Sequence, residues 1–113
     1  MNGSEWEDRA LRHLQSRGLK LLQRNYHCRG GELDLVMREG ETLVVVEVRS
    51  RSNPGYGTAA ESVDGRKQRR ILLATQLYLA AYPEHADRAL RFDVVAFDGA
   101  GKLDWITAAF DAG

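Results

Sequence analysis

The sequence predicts a mixed α/β domain in which helices flank a β-sheet, with the elements in the order αβββαββ. Three observations predict this fold class: a helical repeat of apolar residues near the N-terminus, two β-rich runs between residues 32 and 48, and a second helical repeat after residue 64. The chain has 113 residues, of which 43% are hydrophobic and 28% charged. This length and composition indicate a single globular domain over residues 1–113.

The first predicted helix covers residues 4–17. Ser4 and Glu7 have the spacing of a capping box, apolar residues then recur at helical intervals, and Gly18 follows the last turn. Residues 19–26 are a mixed apolar and polar run that predicts an edge strand. The pair Gly30-Gly31 predicts the turn after this strand.

The β-rich runs at residues 32–37 and 42–48 predict an antiparallel hairpin that turns at Glu39 and Gly40. In that register Asp34 faces Val45 and lies diagonally across from Glu47. Because side chains alternate along a strand, Asp34 and Glu47 then share one face of the hairpin with Arg49. Both carboxylates are close enough to reach one cation in this arrangement.

The second half of the chain predicts a helix followed by two strands. After a loop-like stretch at residues 50–58, Asp64 is placed to cap a helix whose apolar residues recur at helical spacing until Pro83. The two strands are predicted at residues 90–97 and 103–110, with a turn between them.

The charges balance overall but are distributed unevenly. Sixteen basic and sixteen acidic residues give a formal net charge of zero, which excludes a histone-like polycation. Residues 9–29 nevertheless carry six basic and no acidic side chains, whereas acidic residues predominate after residue 71. One interpretation is a basic face that meets a polyanion, and the other is an ordinary solvated surface.

Cysteine usage and the N-terminus indicate a cytoplasmic protein. The single cysteine, Cys28, cannot form an internal disulfide, and the first residues lack the basic and apolar regions of a signal peptide. We therefore expect no membrane association. One cysteine and three scattered histidines also give no pattern for a zinc site.

Two carboxylates on one face of an apolar hairpin require an explanation. A buried carboxylate without a partner is costly, and a hard divalent cation bound by oxygen ligands is one way to hold the pair. The alternative is a face exposed to water, with Glu47 paired to Arg49 or Arg51. Glu7 lies on the apolar stripe of the first helix and is a candidate third oxygen ligand, although its capping role also explains a glutamate there.

The segments that carry these residues match a known family in order and spacing. They are residues 7–10, 24–26, 31–36, 46–51, 63, 67–70 and 91–95. The chain resembles the YraN family of small bacterial proteins, which in turn resembles the Holliday-junction resolvases and the PD-(D/E)XK nuclease superfamily. The resemblance implies a restriction-endonuclease-like mixed β-sheet flanked by helices, and an endonuclease that uses Mg²⁺ or Mn²⁺ to hydrolyse DNA, branched or structured DNA included.

The resemblance also implies roles for five residues. Asp34 corresponds to the superfamily aspartate, Glu47 to the first residue of the E-x-K element, and Glu7 to a glutamate from the first helix; together they would bind the metal ion. Arg49 stands where the lysine is expected and would contact phosphate or orient the nucleophile. Lys67, near the start of the second helix, would supply an ammonium group.

The arginine at position 49 leaves the activity open. Arginine stays protonated and cannot act as a general base, although its forked donors can hold a phosphate. The alternative function is therefore a catalytically impaired nucleic-acid-binding protein with a nuclease fold. A protein-interaction domain is a third hypothesis, which only the neutral net charge and the acidic C-terminal part support.

Four further basic residues are candidates for nucleic-acid binding. Arg51 shares the face of Arg49 if the strand continues, and Arg66, Arg69 and Arg70 cluster on the first turns of the second helix. Their alternative role is a solvated basic surface. Because a branched junction offers two symmetric cuts, the resemblance to resolvases also suggests a homodimer, by analogy alone.

Overall fold

The computed structural model describes residues 3–50 and 63–111. Within these residues the elements follow the order αβββαββ, which confirms the predicted fold class. The helices and strands are α1 (Gly3–Ser16), β1 (Lys20–Cys28), β2 (Gly31–Glu39), β3 (Thr42–Ser50), α2 (Gly65–Ala81), β4 (Leu90–Phe97) and β5 (Leu103–Phe110), with a short 3-10 helix at Pro83–His85. In the described part of the chain, no helix is both long and apolar enough to cross a membrane.

The five strands form one mixed sheet in the order β1-β2-β3-β4-β5. The β3–β4 pair is parallel, and the other three neighbouring pairs are antiparallel. Parallel neighbours need a crossover connection, and α2 lies on the segment that joins β3 to β4. From residue 51 onward, the loop predicted at residues 50–58 lies outside the described residues.

The two helices cover opposite faces of the sheet. Ala10 and Leu14 of α1 belong to a buried cluster with Val46 of β3 and Val95 and Phe97 of β4. A second buried cluster joins α2 to the other face, and it includes Ile71, Ala74, Tyr78, Val45 and Phe92. Because both faces are covered, the central strands β3 and β4 read as nearly continuous apolar runs.

The hairpin of β2 and β3 turns at Gly40 and Glu41, so the predicted turn at Glu39 and Gly40 is wrong by one residue. Glu39 pairs with Thr42. Gly40 has a φ of 56° and Glu41 does not have a positive φ, which is the pattern of a type II′ turn with glycine at its first central position. The register is shifted by two residues from the predicted one. A shift of two preserves the alternation of faces, so Asp34 and Glu47 still share a face.

The turn between β1 and β2 also differs from the prediction by one residue. It consists of Arg29 and Gly30, and Cys28 faces Gly31 across the two strands. Gly31 is therefore the first residue of β2 and does not belong to the turn. The next pair in this register is His27 and Glu32.

The helix ends agree with the prediction to within about one residue. Helix α1 begins at Gly3, so Ser4 lies in the first turn and is not the cap. Gly18 follows the helix with a φ of 94°, as a C-terminal glycine does. Asp64 caps α2 as predicted, since its carboxylate accepts a hydrogen bond from the backbone N–H of Lys67 at 2.9 Å. Strands β4 and β5 have the predicted bounds.

Candidate active site

Asp34 of β2 and Glu47 of β3 form the centre of the candidate site. The paired register of the two strands stops at Leu35 and Val46, and the two acidic residues occupy the next positions. There the backbone N–H of Asp34 lies 3.4 Å from Glu47 Oε2, and the N–H of Val48 donates to Asp34 Oδ2 at 2.9 Å. Where the pairing of β2 with β3 ends, hydrogen bonds to the two acidic side chains therefore replace hydrogen bonds between backbone groups.

The carboxylate pair is buried. Asp34 is 8% exposed and Glu47 is 1% exposed, which excludes the alternative of a face open to water. Burial and then the negative charge of Asp34 raise the pKa of Glu47 to about 8. Burial also raises the pKa of Asp34, although the hydrogen bond from Val48 opposes that shift. The protein thus holds two acidic groups where ionising both is costly.

Lys67 of α2 faces this pair. Its Nζ lies 3.6 Å from Glu47 Oε1, and its positive charge lowers the pKa of both carboxyl groups, against the larger effect of burial. The N-cap contact with Asp64 anchors the turn of α2 that carries Lys67. The lysine is 37% exposed, so it connects the buried glutamate to solvent.

The Oε1 atom of Glu47 is a buried oxygen that makes no hydrogen bond within the described residues. An oxygen of this kind, beside a second carboxylate, suits a hard cation. Magnesium retains several waters and typically uses one or two protein carboxylates, so Asp34 and Glu47 fit such an ion. Manganese accepts the same oxygen ligands.

Glu7 of α1 lies near the pair but contacts a different partner. Arg24 of β1 approaches Glu7 Oε1 at 3.5 Å, Asp8 Oδ1 at 2.7 Å and the carbonyl oxygen of Ser4 at 3.2 Å. The charge of Glu7 contributes to the raised pKa of Asp34. Within residues 3–50 and 63–111, no three His, Cys, Asp or Glu side chains form a group that could hold a metal ion. The third-ligand role of Glu7 therefore stays a prediction.

Arg49 lies two residues beyond Glu47 on β3 and is half-buried. By alternation along β3 it shares the face of Val45 and Glu47, which is the face that α2 covers. Its positive charge also lowers the pKa of Asp64 at the start of α2, after the larger effects of the hydrogen bond from the Lys67 N–H and the charge of Arg66.

The other predicted nucleic-acid-binding residues are distributed along the start of α2. Arg66, Arg69 and Arg70 are exposed on its first turns. Arg51 lies outside the described residues. The structure thus places three of the four arginines on the helix that carries Lys67.

Sequence reasoning missed a pocket beside Lys67. It has a volume of about 270 Å³ and lies between the β1–β2 turn and α2, lined by His27, Gly31, Glu32, Lys67, Arg70 and Ile71. His27 Nδ1 lies 3.0 Å from Glu32 Oε2. A turn at residues 29–30 would have predicted this cross-strand pair, but the position of α2 over it depends on tertiary packing.

The fold and site together define a restriction-endonuclease-like α/β domain with a buried carboxylate pair at the β2–β3 hairpin. The model of the family described as "Uncharacterised protein family UPF0102" matches residues 6–97 of the chain. The chain belongs to this family, which confirms the resemblance to the YraN proteins.

Several relatives described as UPF0102 proteins are similar over nearly their whole length. One from Pseudomonas entomophila is 51% identical over 113 residues, which cover 96% of this chain and 92% of the relative. One from Cupriavidus necator is 54% identical over 112 residues, covering 98% of this chain and 83% of the relative. These matches give the family and do not assign an activity.

Proposed function

We propose that this protein is a metal-dependent nuclease that hydrolyses phosphodiester bonds in DNA, with branched or structured DNA as the expected substrate. The observation that carries the proposal is the buried pair of Asp34 and Glu47, with Glu47 Oε1 lacking a hydrogen bond in the described part of the chain and lying 3.6 Å from the ammonium group of Lys67. Two buried carboxylates with a solvent-accessible lysine are suited to binding a cation next to an anionic substrate.

Asp34 and Glu47 would hold a magnesium or manganese ion, with Glu7 as the third ligand that the resemblance implies. When bound, such an ion would activate a water molecule for attack and stabilise negative charge on the phosphate. Metal ligands must be deprotonated, so the raised pKa of Glu47 means that cation binding displaces a proton from this carboxyl group.

Lys67 and Arg49 would act on the substrate side of the pair. The ammonium group of Lys67 has three donors, which suit it to orient an attacking water or to contact the scissile phosphate. The Arg49 guanidinium stays protonated, so it would clamp a phosphate through its fork of donors and would not accept a proton. In this assignment α2 supplies the lysine that the E-x-K element lacks.

Nucleic-acid binding without efficient cleavage is a second candidate function. The arginine at position 49 favours it, because a residue that cannot deprotonate is a poor replacement for the lysine of the motif. Arg66, Arg69 and Arg70 on α2, and Arg51 beyond β3, would contact phosphates. Binding of this kind falls steeply as salt concentration rises and depends little on sequence.

The test is cleavage and binding of labelled DNA of four shapes: a four-way junction, a flap, a duplex and a single strand. Each is incubated with magnesium, manganese or EDTA, and wild type is compared with Asp34→Asn. Metal-dependent cutting that the variant lacks supports the nuclease, and the preferred shape identifies the substrate. Salt-sensitive binding without cutting in any metal, unchanged by the variant, supports the second candidate instead.

A further inference from the structure

The pocket beside Lys67 lies next to the carboxylate pair. Lys67 belongs to both features, because its Nζ is 3.6 Å from Glu47 Oε1 and its side chain lines the pocket. Glu32, on the opposite wall, contributes to the raised pKa of Asp34. A group bound in the pocket therefore shares Lys67 with any group bound at the pair.

The walls of the pocket carry more positive than negative charge. The cations Lys67 and Arg70 line it together with His27 and one acidic side chain, Glu32. That carboxylate has its own partner, since Glu32 Oε2 lies 3.0 Å from His27 Nδ1. No carboxylate of residues 3–50 and 63–111 forms an ion pair with Arg70, so its guanidinium is available to an anionic ligand.

The size of the pocket restricts the ligand. Its volume of about 270 Å³ is below the range typical of drug-sized ligand sites, which begins near about 300 Å³. The space suits a phosphate with its sugar. The forked donors of an arginine match the oxygens of a phosphate, and a nearby lysine adds a point charge.

We propose that this pocket binds a phosphate of the substrate strand next to the scissile one, with Arg70 as its principal donor. The inference rests on the proposed function and deepens it, because it assigns a second phosphate subsite to the same strand. The ligand chemistry is a phosphate group, and its source is either a terminal phosphate or an internal phosphodiester.

The test is equilibrium binding of a single-stranded oligonucleotide to the full chain in EDTA, so that no hydrolysis is required. The oligonucleotide carries an internal fluorophore and ends in hydroxyls, in a 5′-phosphate or in a 3′-phosphate. Wild type is compared with Arg70→Gln, with Arg69→Gln as the matched loss of charge on the same helix, and with Arg12→Gln on α1. Arg70 is exposed, so its substitution should leave the fold intact. Thermal unfolding checks this for each variant.

We expect Arg70→Gln to weaken binding about fivefold more than Arg69→Gln, and Arg12→Gln to change it less than about twofold, because a bidentate contact exceeds a general charge effect. Arg70→Lys keeps the charge but loses the fork, so its loss should be intermediate. If wild type prefers one phosphorylated end and Arg70→Gln abolishes that preference, the source is terminal. Equal weakening for all three oligonucleotides identifies an internal phosphate.

Equal losses in Arg70→Gln and Arg69→Gln would overturn the subsite, as would a wild-type chain that binds none of the oligonucleotides. These outcomes are separable from the proposed hydrolysis. A chain that cuts DNA in magnesium but shows no excess loss in Arg70→Gln contradicts only the subsite. A chain that never cuts DNA, but loses binding specifically in Arg70→Gln, contradicts only the nuclease.

Discussion

Asp34 and Glu47 join β2 to β3 through their side chains. The N–H of Asp34 approaches the Glu47 carboxylate at 3.4 Å, while the Asp34 carboxylate accepts the N–H of Val48 at 2.9 Å. The same contacts that bridge the strands thus fix two acidic groups side by side in a buried place. Their repulsion must be relieved by a proton, by the nearby Lys67 or by a bound cation.

The raised pKa of Glu47 predicts that stability falls as pH rises. The ordinary pKa of 4.5 becomes about 8 in the folded protein, so between these values the folded state binds more protons than the unfolded state. This contribution is complete below pH 4.5 and is lost as pH rises through 8. Glu47→Gln should therefore be more stable than wild type at alkaline pH, by about 1–3 kcal/mol, with little difference at acid pH.

Thermal unfolding in EDTA across this pH range measures the effect. Each kcal/mol corresponds to a shift in Tm of about 4 °C in a domain of 113 residues. Glu41→Gln is the control, because the Glu41 side chain is 92% exposed and forms only a surface ion pair with Arg88. A difference between Glu47→Gln and wild type that stays constant with pH contradicts the assignment.

Divalent cations should stabilise the wild-type chain through this carboxylate pair. A ligand that binds only the folded state at ten times its Kd adds about 1.4 kcal/mol. We expect magnesium or manganese to raise the Tm of wild type, more strongly above pH 8 where Glu47 is ionised, and to lose this effect in Asp34→Asn and Glu47→Gln. Thermal shift assays with and without EDTA measure it. Equal metal-induced shifts in the variants would place the cation elsewhere.

A second buried carboxylate, Asp93 of β4, has a structural role that sequence reasoning did not assign. It is fully buried and accepts hydrogen bonds from Arg91 Nε at 2.9 Å, Arg91 Nη2 at 3.0 Å, Trp105 Nε1 at 3.0 Å and the N–H of Ala108 at 2.9 Å. Ala108 has a φ of 50°, so this contact holds an unusual backbone conformation in the edge strand β5. Asp93 thereby fixes β5 to β4.

Asp93→Asn should destabilise the fold by about 2 kcal/mol, because it weakens the buried hydrogen bonds to this carboxylate and leaves the half-buried Arg91 with Glu39 as its acidic partner. Urea unfolding measures the free energy of unfolding. Asp104→Asn is the matched control, since Asp104 lies on the same β4–β5 hairpin and is exposed. A loss for Asp93→Asn within about 0.5 kcal/mol of the control, the range of ordinary surface substitutions, would show that the network contributes little.

Arg49→Lys discriminates between the two candidate functions. If the carboxylate site is functional but poorly tuned, restoring the lysine of the motif should raise metal-dependent cleavage about tenfold or more, since positioned proton transfer typically contributes at least that much. Single-turnover cleavage of the preferred DNA measures the change. Arg12→Lys, on α1, is the control for replacing a guanidinium group with an ammonium group. Unchanged, negligible cleavage in Arg49→Lys would favour binding without catalysis.

The helices and strands could be predicted from the sequence because the residues that mark where each one begins and ends lie next to it in the chain. Strand β4 is an apolar run that ends before the Asp98-Gly99 pair, and α2 follows a capping aspartate, so their bounds could be predicted. The register between β2 and β3 could not be predicted, because a two-residue turn can contain Gly40 at either of its central positions. Both registers keep Asp34 and Glu47 on one face, which is why the pairing was predicted despite the wrong turn.

The sequence alone could not predict the burial of Asp34 and Glu47 or their contact with Lys67, since both depend on where α2 packs. Alternation along β3 shows which residues share a face with Glu47 but not whether a helix covers that face. The contact between Lys67 and Glu47 joins residues 20 positions apart across a crossover. The resemblance to a family suggested Lys67, and the structure gives its distance from Glu47.

A metal-dependent site at Asp34 and Glu47 is tested by cleavage of a labelled four-way junction with purified wild type and Asp34→Asn, each in manganese, magnesium and EDTA. We expect cutting that requires the metal and falls by at least about a hundredfold in Asp34→Asn, because a group that holds the reaction centre is lost. Arg12→Gln should cut as wild type does. Cutting that survives EDTA, or that persists undiminished in Asp34→Asn, would contradict a metal-dependent site at this carboxylate pair.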